Sequence, residues 1–298
     1  MFDISVVVLN WNNWQETCAC VQSLLNSTGV HYQVFVVDNG SQDGSQEIIR
    51  NQFPGINLIC NDKNLGYAEG NNVGIRAAIS AGSRYIFVLN NDTRVASDSL
   101  AILCAAGDKN PDCAFLGPKI LHLDQPDQVQ SRGIQLDYLW RSSQRGLDTN
   151  NLVSESGDEI VECISGAAIL ARADALAGIG LLDPDYFLYR EDIDWCLRVR
   201  KKGYKILFVP GAVIWHRSHH VRENDLPRVT YYMTRNSLLL YKKQNGGPIR
   251  FTLLLIRFLG TIFSWSIRPK WRNKQSEKQA MIVAIKDYFK GRFGKGDV

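Results

Sequence analysis

Tyr85-Ile86-Phe87-Val88-Leu89-Asn90-Asn91-Asp92 is an apolar run that ends on a carboxylate. Its length and apolar content predict a buried strand over 85–89. In an open α/β sheet, ligands gather beyond the carboxyl ends of the strands, so Asp92 stands where a diphosphate and Mg²⁺ or Mn²⁺ could meet. Asn-Asn-Asp is also ordinary turn chemistry. A second strand, 33–37, ends the same way and empties into Asp38-Asn39-Gly40-Ser41-Gln42-Asp43-Gly44-Ser45. Asp38 could accept from a pyrimidine N–H or a ribose hydroxyl, while Asp43 or Ser45 suits the cap of the next helix.

Working outward, strands over 4–9, 33–37, 56–60 and 85–89 alternate with helices over 15–25, 45–52, 68–82 and 97–107, a doubly wound α/β pattern. Asn10-Trp11-Asn12-Asn13 follows the first strand, where a dinucleotide-binding fold would carry GxGxxG, so a nucleotide must be held by other contacts. Residues 121–159 read as a long polar excursion, of a length that usually has a function. The sheet resumes near Cys163-Ile164-Ser165-Gly166-Ala167-Ala168-Ile169-Leu170, and a helix is expected over 228–243.

The chain has 298 residues and is 45% hydrophobic, enough for one large core or two modest ones and incompatible with a disordered protein. Its start shows no basic segment, apolar stretch and cleavage site in series, which predicts a cytosolic protein. Seven scattered cysteines without a CxxC pair read as buried, reduced thiols. Charge is uneven: from residue 242 onward there are 13 Lys and Arg against 3 Asp and Glu, a net of +10, and the preceding part is net negative. The apolar segment 249–267 is interrupted by Arg250 and Arg257, and its longest uncharged stretch falls short of the roughly 20 residues of a spanning helix. With Trp265, Trp271, Arg268, Lys270, Arg272 and Lys274 alongside, the tail is expected to lie on an anionic membrane surface. Packing on the main domain and a nucleic-acid patch are the competing readings.

Tyr186-Phe187-Leu188-Tyr189-Arg190-Glu191-Asp192-Ile193-Asp194-Trp195 opens an amphipathic helix with acidic residues, which the helix dipole favours. The aromatic residues just before it are not explained by that dipole. Rings can stack on a sugar while an adjacent carboxylate takes a proton from its hydroxyl.

Asp38-Asn39-Gly40-Ser41, Asn64-Leu65-Gly66-Tyr67-Ala68-Glu69-Gly70-Asn71-Asn72-Val73-Gly74, Leu89-Asn90-Asn91-Asp92 and Glu191-Asp192-Ile193-Asp194-Trp195 occur in this order. Together they resemble the inverting family-2 glycosyltransferases of the GT-A fold, in particular the rhamnosyltransferase-like branch, over residues 4–245. The resemblance implies a mixed α/β sheet flanked by helices, with a nucleotide-sugar half over about 1–120, an acceptor half over about 121–245, and a basic, apolar helical appendage over 246–298. It implies a nucleotide site of Asn10, Asp38, Asn64, Gly66, Asn71, Asn91 and Asp92, with Asp38 on the base. It implies that Asp92 is the metal-binding end of a DxD-type signature whose first carboxylate is here Asn90, and that His216 is a second ligand to Mn²⁺ or Mg²⁺. Without the resemblance His216 reads as a structural histidine. Asp192 matches the catalytic base, with Glu191 and Asp194 in support. Arg217, Arg235, Gly166, Tyr189 and Trp195 are expected to touch the diphosphate or the acceptor, with His219, His220 and Arg222 near the diphosphate.

The implied reaction moves rhamnose or a similar sugar from a nucleoside-diphosphate donor, dTDP-rhamnose or a UDP-sugar, to a hydroxyl of a glycan or polyprenol-linked glycan. The expected location is the inner face of the cytoplasmic membrane, with no nucleic-acid partner. One base on one face gives a single displacement, which inverts the anomeric centre. A nucleotidyltransferase would show a Gly- and Lys/Arg-rich phosphate loop where Asn10-Trp11-Asn12-Asn13 stands. An inactive sugar-nucleotide-binding or membrane-scaffold protein would be expected to lack Asp92 or Asp192.

Overall fold

Short apolar runs and amphipathic segments alternate in the chain, and the computed structural model, which describes residues 2–150, 157–217 and 223–297, assembles them around one central sheet. The first half comprises β1 (Ile4–Asn10), α1 (Trp14–Leu25), β2 (Tyr32–Asp38), α2 (Ser45–Gln52), β3 (Asn57–Cys60), α3 (Gly66–Ser80), β4 (Tyr85–Asn90), β5 (Thr93–Val95), α4 (Ser99–Lys109) and β6 (Cys113–His122). The polar excursion contains β7 (Val129–Ser131), β8 (Ile134–Leu136), β9 (Ser142–Gln144) and β10 (Glu159–Ile160). Then come β11 (Ala168–Arg172), α5 (Ala173–Ile179), α6 (Glu191–Lys201), β12 (Lys205–His216), α7 (Leu226–Lys243), α8 (Pro248–Ile267) and α9 (Gln275–Phe289).

Sheet order is β10-β12-β6-β11-β4-β1-β2-β3, with β5 on β12 and β7 on β6. β3, β2, β1 and β4 run parallel, and β11 runs against both β4 and β6, which makes the sheet mixed. β8 and β9 form a separate ribbon. Alternate residues face opposite sides of a strand. Val6 and Val8 therefore meet Val21, Leu24 and Leu103 on one face, while Val7, Val37 and Val88 meet Ala68, Ile75 and Trp195 on the other. Both faces are covered, as a parallel sheet requires. In register, Asn10 lies opposite Asp38 and Leu9 opposite Asn90, so the polar ends of β1, β2 and β4 share one edge. Thr93 lies opposite His216, which brings the end of β12 to the same edge beside Asp92.

The appendage divides in two. α9 packs along α7, with Ala280 and Ala284 against Tyr231 and Tyr232. α8 leaves Ile249, Leu253, Ile256, Leu259, Phe263 and Ile267 exposed. Contrary to the expectation of a segment too broken to span, α8 is one uninterrupted 20-residue helix, long and apolar enough to cross a membrane by length and composition. The helix forms across Arg250 and Arg257, because arginines on its surface do not interrupt backbone hydrogen bonding. About 30 Å of helix results.

α3 lies unusually close to the sheet. A Cβ on Gly74 would sit 2.4 Å from Val7 Cγ1 and 2.9 Å from Val37 Cγ2, and one on Gly70 would sit 2.7 Å from Leu9 Cδ1. Helix propensity alone favours Gly74→Ala by roughly 1 kcal/mol. Overpacking should dominate, so the variant is expected to lose about 1–3 kcal/mol in chemical denaturation. A stabilised variant would show that α3 sits further from the sheet.

Candidate active site

The strand ends are knitted by side-chain hydrogen bonds. Asn10 Nδ2 donates to Asp38 Oδ2 at 2.8 Å, Asn10 Oδ1 accepts from Thr17 Oγ1 at 2.7 Å, and Asn91 Nδ2 donates to Thr17 Oγ1 at 2.9 Å. Asp38 Oδ1 accepts from the Ser41 amide at 3.0 Å and from Gln46 Nε2 at 2.9 Å. Asp38 is thus buried and holds the turn into α2, as well as lying on the expected nucleotide side. Asp43 accepts from the Ser45 amide two residues on, in a turn just ahead of that helix, whose N-cap position is Gly44 and carries no side-chain cap, so Asp43 and Ser45 do not cap it as expected.

Asn64 Oδ1 takes the Gly66 amide at 2.8 Å and Asn39 Nδ2 at 3.1 Å, which shapes the entry to α3. Gly66 adopts φ +83°, and a Cβ there would meet the Phe187 ring at 2.4 Å. Only glycine fits such an approach. Asn71, expected to contact nucleotide, is buried inside α3 with its Nδ2 on the Tyr67 carbonyl. Trp11, Asn39, Asn64, Tyr67, Phe187 and Tyr232 line a pocket of about 400 Å³ just outside these strand ends.

On the side where a metal is expected, His216 Nδ1 is 2.6 Å from Gln130 Oε1, and its Nε2 is 3.2 Å from Asp92 Oδ1. With Nδ1–H donated to Gln130, the Nε2 lone pair faces Asp92 and Asn90 Nδ2, the latter at 3.4 Å. A carboxylate with an imidazole fits Mn²⁺ better than Mg²⁺ and leaves the remaining positions to diphosphate oxygens and water. Among the described residues, no group of three or more His, Cys, Asp or Glu side chains could hold a metal by itself.

The acidic helix α6 is entered through a strained turn. Phe187, Tyr189 and Arg190 have φ of 62°, 67° and 76°, uncommon for residues with a Cβ. Asn236 Nδ2 donates to the carbonyls of Tyr186, Leu188 and Tyr189 at 2.8–2.9 Å, and Arg235 reaches those of Asp185 and Tyr186. The turn delivers Glu191 and Asp192. Asp192 Oδ1 accepts from the Ile193 amide at 2.8 Å and Oδ2 from the Gly166 amide at 3.1 Å. The Gly166 carbonyl in turn accepts the Tyr67 hydroxyl at 2.7 Å. The Tyr67 phenol is held well above its ordinary range, first by burial and then by the negative charges of Glu191, Asp192 and Asp92, so the two acidic elements flank one hydroxyl.

Several expected contacts lie elsewhere. Trp195 is fully buried, packs edge-on against Phe115 and donates Nε1–H to the Gly180 carbonyl, so it cannot stack on a sugar. Arg235 is fully buried behind the strained turn, and its guanidinium is committed to carbonyls there instead of facing phosphates. Tyr189 packs against the Tyr231–Tyr232 cluster. Asp194 is buried in bonds from Tyr186, Gln244 and Arg198, which makes it a brace for α6. Arg217 pairs with Glu16 and Asp124 close to Asp92. His219, His220 and Arg222 lie outside the described residues. Asn39 stood inside a quoted motif and Asn236 inside the helix expected over 228–243, neither with an assigned role, whereas Gln130 sits in the polar excursion with no local signal.

Burial, followed by the charge of Asp192, pushes Glu191 up to about 8 from 4.5. Burial also raises Asp192, against its two amide donors and Arg190. The shared negative charge therefore rests on Asp192, and Glu191 keeps the proton. Because the folded state holds that proton between about pH 4.5 and 8, the stability Glu191 contributes is full below 4.5 and declines as pH rises through this window. Glu191→Gln should therefore gain on wild type in thermal unfolding as pH is raised from about 5 to 9, by on the order of a few °C. A flat difference would mean that Glu191 is ionised in the fold.

Comparison with known proteins bears on what this edge does. Residues 5–169, more than half of the chain, match Glycosyl transferase family 2. Curated relatives include the N-acetylglucosaminyl-diphospho-decaprenol L-rhamnosyltransferase of Mycobacterium tuberculosis, 27% identical over 255 residues that cover 78% of this chain and 82% of that protein. The dTDP-rhamnosyl transferase RfbF of Shigella flexneri is 23% identical over 272 residues, covering 88% of each. Among solved structures, GalNAc-T7 with UDP, GalNAc and Mn²⁺ superposes with a TM-score of 0.60 at 15% identity, over 90% of this chain and 58% of that one. S. aureus TarS does so at 0.57 and 16%, over 97% and 49%. This chain thus spans little more than half of the first and about half of the second. At these identities the likeness establishes the fold, which is the GT-A type with a mixed sheet flanked by helices.

Proposed function

The chain belongs to glycosyl transferase family 2 and is a glycosyltransferase, and from that premise we propose that it transfers rhamnose or a similar sugar, with inversion, from a nucleoside-diphosphate donor to a hydroxyl of a glycan or polyprenol-linked glycan. The observation that carries this reading is the clasp among Asp192, Gly166 and Tyr67, which sets a fixed carboxylate against the lining of the strand-end pocket. Asp192 takes the proton of the acceptor hydroxyl, and the amides of Gly166 and Ile193 orient its two oxygens. Glu191, neutral and buried beside it, leaves Asp192 as the charged member of the pair. Asn10, Asp38, Asn64, Gly66 and Asn91 shape the nucleotide side. Asp92 and His216 would hold Mn²⁺ or Mg²⁺, which when bound neutralises charge on the departing diphosphate.

Rhamnose as the sugar is supported by the names of the two curated relatives, and a lipid-diphosphate acceptor by the name of the first. Asp192→Asn should cut turnover by about 10²–10⁴-fold while calorimetric affinity for the nucleotide-sugar stays within about twofold. Loss of donor binding with turnover intact at saturation would move Asp192 out of the base role. Asp92→Asn should instead weaken both Mn²⁺ dependence and turnover, by on the order of two decades in rate.

The reading extends to the membrane. The exposed stripe of α8 with Arg250, Arg257, Arg268, Lys270 and Arg272 nearby supports a helix lying in an anionic interface on the cytoplasmic face, where a polyprenol-linked acceptor resides. Truncation after Gly246 would also strip α9 from α7, so a point change is the cleaner test. Ile256→Asp, at a position 59% exposed, should leave the unfolding temperature near wild type and reduce co-sedimentation with anionic vesicles several-fold. Equal pelleting of both proteins, or of neither, would remove α8 from the membrane.

A further inference from the structure

The pocket at the strand ends has a wall from a distant part of the chain. Beyond α9 the backbone turns at Gly291 and Gly294, both at positive φ, and runs back over the domain. Phe293 packs into the core cluster on the α3 and α6 side of the sheet and against Tyr288. The Gly294 amide donates to the Asp185 carbonyl at 2.8 Å, just before the strained turn, and the Gly296 amide donates to Tyr232 Oη at 3.0 Å. A Cβ on Gly296 would lie 2.3 Å from the Tyr231 ring, so only glycine brings the backbone this close.

Between these two anchored amides stands Lys295, which lines the pocket with its side chain exposed and forms no ion pair among the described residues. Arg228 lines the same pocket from the first turn of α7. It pairs with Asp225 at 3.1 Å, but its Nε is buried without a hydrogen-bond partner. Among the described residues, the pocket therefore presents two cations, the rings of Trp11, Tyr67, Phe187 and Tyr232, and no lining carboxylate. That chemistry suits a flat group joined to a strong anion.

We propose that residues 290–297 form a working wall of this pocket and that Lys295, with Arg228, binds the phosphates of a diphosphate ester. The inference rests on the glycosyltransferase reading above and adds a binding residue from the end of the described chain. Two reactants of that reaction carry such a group: the nucleoside-diphosphate donor and a polyprenyl-diphosphate acceptor. With the backbone on either side of Lys295 already pinned, binding an anion orders only its side chain and not the segment, so its removal should be felt in affinity.

The test is calorimetric titration of full-length wild type, Lys295→Ala and Lys295→Arg, with Mn²⁺ present, using dTDP, UDP and a short-chain prenyl diphosphate as separate probes. Thermal unfolding serves as the fold control, and Lys295, being exposed, should leave it unchanged. The expected result is a Kd raised about tenfold for at least one probe in Lys295→Ala, a shallower salt dependence, and recovery of most of the affinity in Lys295→Arg. Weakening confined to the nucleotides assigns the donor, and weakening confined to the prenyl diphosphate assigns the acceptor. Unchanged affinity for every probe that wild type binds would overturn the role of Lys295. Failure of wild type to bind any of the three would overturn it together with the pocket's assignment to this reaction, and so separates the two failures.

Discussion

The site depends on a turn that the backbone would not adopt unaided. Phe187, Tyr189 and Arg190 all take positive φ within four residues, at a cost on the order of 1–3 kcal/mol each. The turn persists because α7 meets it with a buried amide and a buried guanidinium. Asn236 donates to the carbonyls of Tyr186, Leu188 and Tyr189, and Arg235 to those of Asp185 and Tyr186. The Phe187 carbonyl then receives the Tyr67 amide at the start of α3, and the Asp185 carbonyl receives the Gly294 amide. One irregular segment thus ties α3, the acidic helix α6 and the end of the described chain to a common frame. The two arginine and asparagine side chains act behind the site, which explains why they are buried.

The electrostatics follow from that frame. Glu191 and Asp192 are adjacent in sequence yet differ in environment: Asp192 receives two backbone amides, whereas Glu191 Oε2 is buried without a hydrogen-bond partner. Two neighbouring carboxylates cannot both ionise cheaply under burial. The difference in donors decides which one keeps the charge. The same logic operates at the opposite end of the site, where Gln130 orders the His216 ring and leaves Nε2 facing Asp92.

Much of this architecture was legible in the sequence because it is written in local periodicity. The strand over 85–89 and its polar exit occur as read, and so does the alternation that places Asn10, Asp38 and Asn91 at one edge. Roles that depend on which way a side chain turns were harder to read. Trp195 and Arg235 belong to motifs rich in functional residue types, but the helical phase of α6 and α7 sends both inward. Gln130 reaches His216 across 86 residues, and Lys295 reaches the pocket only because α9 folds back on α7; no local pattern encodes either meeting. For α8, counting uncharged residues undervalued a helix whose arginines leave the exposed apolar stripe continuous.

The clasp of Tyr67 on the Gly166 carbonyl has a consequence for substrate discrimination. Tyr67 belongs to the pocket, while the Gly166 amide fixes an oxygen of Asp192. With Asp192 as the proposed base, a donor that seats poorly against Tyr67 would pull on the same peptide that aims it, and a misaim of even an ångström would be costly in rate. A near-cognate donor would then be rejected after it binds, through slow turnover, and would occupy the enzyme as an inhibitor of the preferred one. Fidelity in such a site would be kinetic, and a survey of affinities alone would miss it.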